Sequence, residues 1–160
     1  MLRVYRRPAT LPLLTLLLAA LALAASVPQA RAQDAADKAK DEPPFSAYKG
    51  VRIGMAAEEA RKLLGNPTDK DDKQDFYSFN EKESCQVYYD ETKKVYAVAV
   101  TYFGGNSIPA PKVVLGIDAE VKQDGSVYKM IRYPKVGYWV SYTRTAGESP
   151  MTLVTMQKIQ

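Results

Sequence analysis

From Phe76 onward the apolar residues of this 160-residue chain recur at every second position, and that period constrains the fold more than any other feature. FYSF at 76–79, CQVYYD at 85–90 and VYAVAVTYF at 95–103 are rich in valine and aromatic residues and are separated by polar turns. Stretches of this kind are half-buried strands joined antiparallel. In the third of them Tyr96, Val98, Val100 and Tyr102 share one face. Val95, Ala97, Ala99, Thr101 and Phe103 share the other, whose small centre suits an approaching helix.

The helix precedes the strands. In GMAAEEARKLLGNP (54–67), Met55, Ala56, Ala60, Leu63 and Leu64 fall on one helical face, with Glu58, Glu59, Arg61 and Lys62 mostly opposite. Acidic residues open the helix and basic ones close it, as the backbone dipole favours. Gly65 can take the left-handed conformation that ends a helix, and Pro67 prevents it from resuming. A helix over about Ala56 to Leu64 is expected to pack Leu63 and Leu64 into the sheet. TDKDDKQD (68–75) reads as a solvated loop.

After the connector GGNSIPAP (104–111) the pattern restarts. Leu115-Gly116 repeats Leu64-Gly65, Tyr128 answers Tyr77, WVSYT answers QVYYD, and Val154-Thr155 answers Val100-Thr101, with offsets rising from 51 to 54 residues. The expected architecture is α+β, with short helices on one face of an antiparallel sheet. It is built from two tandem helix-plus-three-strand units, 49–103 and 108–159. Pro109 and Pro111 limit the second helix to a turn or two. The alternative is a single meander with a hairpin turning at Asp124-Gly125.

The N-terminus reads as a secretory signal peptide over 1–32. Arg3, Arg6 and Arg7 precede the uncharged apolar run LPLLTLLLAALALAA (11–25), and an A-x-A step at Ala30 and Ala32 places cleavage between Ala32 and Gln33. Residues 33–44 then form a flexible leader, and 45–160 a single domain. All 18 acidic residues follow position 32, whereas four of the 22 basic residues precede it. The processed chain is therefore near neutral, which removes the electrostatic case for nucleic acid. The expected location is periplasmic or secreted, without a transmembrane segment in the processed chain and without the cysteine that lipidation would need.

Chemistry is sparse. The chain has no histidine, and Cys85 is its only cysteine, so the commonest general base and the cysteine-rich metal sites are absent. Cys85 opens an apolar strand and reads as a structural thiol. Asp69, Asp71, Asp72 and Asp75 are interrupted by Lys70 and Lys73 and lack the glycine and glutamate of a calcium loop. No catalytic residue, metal site or cofactor is assigned. What the chain has in excess is tyrosine, with Trp139 as its single tryptophan. VGYWVSY (136–142) puts Tyr138, Val140 and Tyr142 on one face and Trp139 on the other. Amphipathic rings on an uncovered sheet face make good partner contacts, so Trp139, Tyr138, Tyr142, Tyr96 and Tyr102 are the candidates. Only one of the two sets around Trp139 can lead the contact.

The ordered set GVRIGMAAEEARKLLGNPTDK, QDFYSF and VYYDETKKVYAVAVTYF, over about residues 49–103, resembles the small bacterial envelope proteins of the SmpA/OmlA (BamE) type. It is also similar to the related tandem β-lactamase-inhibitory protein (BLIP) fold. That resemblance implies helices layered on an antiparallel sheet, no catalysis and binding of another protein. The chain departs from the assembly-factor branch in lacking a lipidated cysteine, and from the inhibitory proteins in lacking disulfides. The functional expectation is an exported non-catalytic interaction module of the cell envelope, in outer-membrane protein assembly or maintenance. The alternatives are a secreted inhibitor of an extracellular enzyme, or a small-ligand carrier or hydrolase on the same sheet.

Overall fold

The computed structural model describes residues 42–104 and 108–160. Backbone packing divides the chain into Met1–Ala35 and Ala36–Gln160, and every described residue belongs to the second unit. The signal segment, its cleavage step and leader residues 33–41 lie outside the described residues. No helix among the described residues is long and apolar enough to cross a membrane.

The elements run α1 (Ala57–Leu64), β1 (Asp69–Lys70), β2 (Gln74–Asn80), β3 (Glu83–Tyr89), β4 (Val95–Tyr102), α2 (Pro111–Leu115), β5 (Val127–Tyr133), β6 (Tyr138–Arg144) and β7 (Thr152–Lys158). All seven strands form one antiparallel sheet in the order β1-β2-β3-β4-β7-β6-β5. The fold is thus α+β, as the change of period implied. Pro111 starts α2 at a position where its missing N–H is not needed, and Gly116 ends it at φ 74°. The prolines confine that helix to five residues, as expected.

The core lies on one face of the sheet. Val87 is paired with Val98, Val98 with Met156, and Met156 with Val140, a fully buried row across four strands. A second row runs Tyr77, Cys85, Val100, Val154, Tyr142. Ala57 and Ala60 of α1 and Val114 and Leu115 of α2 belong to the same buried cluster. Residues just before α1 tie it to β4: Gly54 donates to Val95 O at 2.7 Å, and Val95 N donates back to Met55 O at 2.8 Å.

Three expectations are corrected. The helices cover the face of Val98, Val100 and Tyr102, not the Ala97, Ala99 and Thr101 face. Large residues from neighbouring strands pile up on the valine side, and the helix supplies the small partners, Ala57 and Ala60, that allow close approach. Leu63 therefore stays 50% exposed, lying over the backbone of Gly50, while Leu64 is partly buried. Next, a bulge between Tyr88 and Tyr89 breaks the alternation of β4, so Val95 is buried and Tyr96 sits 6.0 Å from the Tyr88 ring. Last, residues 68–75 are not simply a solvated loop. Asp69 and Lys70 pair with β2, the Asp71 carboxylate accepts from the N–H groups of Lys73 and Gln74, and Asp75 is fully buried.

Candidate functional site

Asp75 heads the strongest electrostatic cluster. Arg61 of α1 reaches it with both arms of its guanidinium, Nε to Oδ2 at 2.8 Å and Nη2 to Oδ1 at 3.0 Å. The Tyr89 hydroxyl donates to Oδ2 at 2.6 Å and that of Tyr77 at 3.4 Å. Burial alone would raise the Asp75 pKa, but the bonds from Arg61 and Tyr89 outweigh it and hold the carboxyl below its ordinary range. The hydrogen bond from Arg61 to Asp75 raises the guanidinium in turn. Burial raises both phenols, Tyr77 to about 12. Every group here is satisfied by a neighbour, and the cluster's role is to clamp α1 onto β2 and β3. Cys85 is equally enclosed, and burial pushes its thiol up to about 12, so no nucleophile is available there.

Among the described residues no group of His, Cys, Asp or Glu side chains could hold a metal ion. A cleft of about 590 Å³ opens at one end of the sheet between Tyr89, Tyr96, Lys93 and Ile159. Several polar groups that line it are already committed. The Tyr89 hydroxyl binds Asp75, Lys93 binds Asp72 at 3.1 Å, and Asp90 closes its own turn with Thr92 and Lys94.

No helix among the described residues lies on the other face of the sheet, which is organised as three cross-strand rows. The first runs Ser78, Ser84, Thr101, Leu153, Thr143, Tyr128. The second runs Phe76, Gln86, Ala99, Thr155, Ser141, Met130, and the third Gln74, Tyr88, Ala97, Gln157, Trp139, Arg132. Arg132 is the one charged residue in these rows. An open antiparallel face normally alternates polar residues outward, with charges among them, to keep it solvated. Here the centre is small and uncharged, and the large side chains stand to either side. Tyr88 on β3 and Trp139 on β6 flank β4 and β7, three strand spacings or about 14 Å apart. Ala97, Ser84 and Ser141 are buried on this face although no helix of the described residues lies above them.

The candidate contacts therefore separate. Trp139 lies on the helix-free face and is half-buried. Tyr138, Tyr142 and Tyr102 lie on the helix side at 9%, 3% and 6% exposure, where they are core rings. Burial raises Tyr102 to about 12. Tyr96 joins Tyr88 at the end of β3 and β4. Tyr128, Met130 and Phe76 are large exposed side chains on the same face as Trp139 and were not among the candidates. The alternation of VYKMIRY, with Val127, Ile131 and Tyr133 against Tyr128, Met130 and Arg132, was the signal that could have found the first two.

No family model and no curated protein matches the chain. Among solved structures it is similar to a DUF4309 family protein, YjgB, from Bacillus subtilis, at 13% identity and a TM-score of 0.43. That similarity covers 70% of this chain and 86% of the other.

Proposed function

We propose that this chain is an exported, non-catalytic protein-interaction module of the bacterial cell envelope, and that its partner docks on the helix-free face with Trp139 as the leading contact. The observation that carries the proposal is the near-absence of charge across three cross-strand rows of an open sheet. Such a face is built of small uncharged and amide side chains with apolar rings to either side, and it costs less to desolvate than a charged face would. The amphipathic ring of Trp139 at its edge adds area at little rotamer loss.

Two tandem helix-plus-three-strand units account well for the strand order. The third strand of each, β4 and β7, meets its counterpart at the centre, and Val100 faces Val154, the residue the repeat aligns it with. The Tyr77 and Tyr128 anchors do not correspond, since one is buried on the helix side and the other is 59% exposed on the opposite face. The SmpA/OmlA resemblance favours work in outer-membrane protein assembly or maintenance, on a processed chain that begins at Gln33 and carries no lipid. Inhibition of an extracellular enzyme would use the same face. A ligand carrier or hydrolase is less well supported, because Tyr89, Lys93, Asp72 and Asp90 of the end cleft already have partners within the fold.

The test uses two surface variants of the processed chain in capture from envelope extract. Ala99→Arg puts a charge in the centre of the helix-free face, and Trp139→Ala removes the leading ring. Both should lose the captured protein and keep a near-normal melting midpoint. Retention of the same partner by both variants would refute the assignment of the face.

A further inference from the structure

The second surface of interest is an edge. β5 pairs with β6 on one side, and no described strand pairs with it on the other beyond Val127, which bridges to Val121. Lys122 N donates to Ser126 O across that bridge, so the Ser126 carbonyl points away from β6. Backbone groups alternate sides along a strand, which aims the N–H and C=O of Met130 and Arg132 outward too. At the far end Tyr133 O turns back toward β6, accepting from Gly137 N at 3.0 Å, as the same alternation requires. Alongside this free stretch runs a groove of about 570 Å³ between Lys129–Tyr133 and the end of α2 at Leu115–Ile117. Ile117 is 44% exposed beside it and Met130 40%.

We propose that this edge takes an extended, acidic segment of a partner protein as an added antiparallel strand. Strand addition supplies main-chain hydrogen bonds along the ladder, and the groove receives alternate side chains. The residues facing Leu115, Ile117 and Ile131 should be apolar. Charge selects the rest. Arg132, on the face opposite Ile131, is exposed and has no ion-pair partner among the described residues, so it selects acids on that side of the added strand. Lys129, also exposed and without an ion-pair partner among the described residues, lies on the groove side with Ile131. A second copy of this chain would bring two further cations to the same ladder and no acid, so it is the wrong occupant. The opposite edge of the sheet is built differently. There the two-residue β1 covers part of β2, and a register shift between Ser78 and Asn80 disturbs the remainder.

This inference goes beyond docking on the helix-free face and fails independently of it, because Ala99→Arg leaves the β5 edge untouched. The probe is a capped seven-residue peptide alternating valine and glutamate, titrated into the processed chain. The readout is the emission of Trp139, the single tryptophan and the cross-strand partner of Arg132. Saturable binding is expected. It should weaken tenfold or more for the valine–lysine peptide, and equally for a valine–glutamate peptide N-methylated on the residues that face β5. Met130→Pro removes an outward N–H while leaving the ladder to β6 intact, and should abolish binding without unfolding the chain. Arg132→Glu should reverse the preference between the two peptides. Equal affinity for both peptides, or indifference to N-methylation, overturns the proposal without relying on any variant. Dimerisation of the free chain through β5 would overturn it as well.

Discussion

Arg61→Met isolates the clamp that holds α1 on the sheet. Asp75 is fully buried and Arg61 is 17% exposed, with the two joined by a two-armed pair at 2.8 and 3.0 Å. Methionine keeps the aliphatic bulk but leaves the carboxylate with only the Tyr89 and Tyr77 hydroxyls. Removing one partner of a buried pair costs about 3–5 kcal/mol, most of it the penalty of the stranded charge. With a slope of about 1.5–2 kcal/mol per molar in urea, the midpoint should fall by roughly 2 M. The pH dependence carries the sharper signature. In the parent the Asp75 pKa is depressed, so its stabilisation is complete above the unfolded value of about 3.9 and is lost as pH falls below it. In the variant burial is no longer offset and the pKa rises, so the penalty is greatest at neutral pH and is relieved by protonation. The deficit between the two proteins should therefore narrow from pH 7 to pH 4. Adding Asp75→Asn to the variant should recover at least about 1 kcal/mol at pH 7 by removing the stranded charge. Urea unfolding followed by Trp139 emission measures all of these. A loss under about 1 kcal/mol, or a deficit independent of pH, would refute the reasoning.

Other outcomes follow from burial. Leu63→Ala, at a half-exposed position, should cost under about 1 kcal/mol, whereas Ala60→Leu overpacks the helix–sheet contact and should cost about 1–3 kcal/mol in thermal or urea unfolding. Cys85, with its thiol raised to about 12, should resist alkylation at pH 8 in the native chain and react at an ordinary rate in 6 M urea, as mass spectrometry would show. Met156→Ala removes the side chain that touches both halves of the buried row and should cost about 2–5 kcal/mol, with a single unfolding transition retained.

The period of two made six of the strands readable, and Gly65 and Gly116 marked both helix ends because those positions take positive φ. Which face the helix takes was not readable from β4 alone. Ala97 and Ala99 look like a seat for a helix, but the choice is made by Val87, Val154 and Met156 on neighbouring strands, which register sets and local pattern does not. The Tyr88–Tyr89 bulge moved Tyr96 for a similar reason, since one inserted residue reverses a face without a sequence mark. Asp75 was hidden among four aspartates in a charged run. Its burial depends on Arg61, on a helix face that reads as wet, so only the tertiary pairing distinguishes it from Asp69, Asp71 and Asp72. Around Trp139 the alternation was correct, but which side the helices take was not legible, and the described helices lie on the side of Tyr138 and Tyr142.

If the helix-free face meets the partner, a probe on that face should reach it and a probe on the outside of α1 should not. The most direct test places a photo-reactive phenylalanine analogue at Thr155, in the centre of that face, or at Glu59, on the exposed side of α1, and irradiates the cells that make the protein. A discrete crosslinked protein is expected from Thr155, lost when Ala99→Arg is added, and none from Glu59. A crosslink from Glu59 alone, or no crosslink from Thr155, would contradict docking on that face.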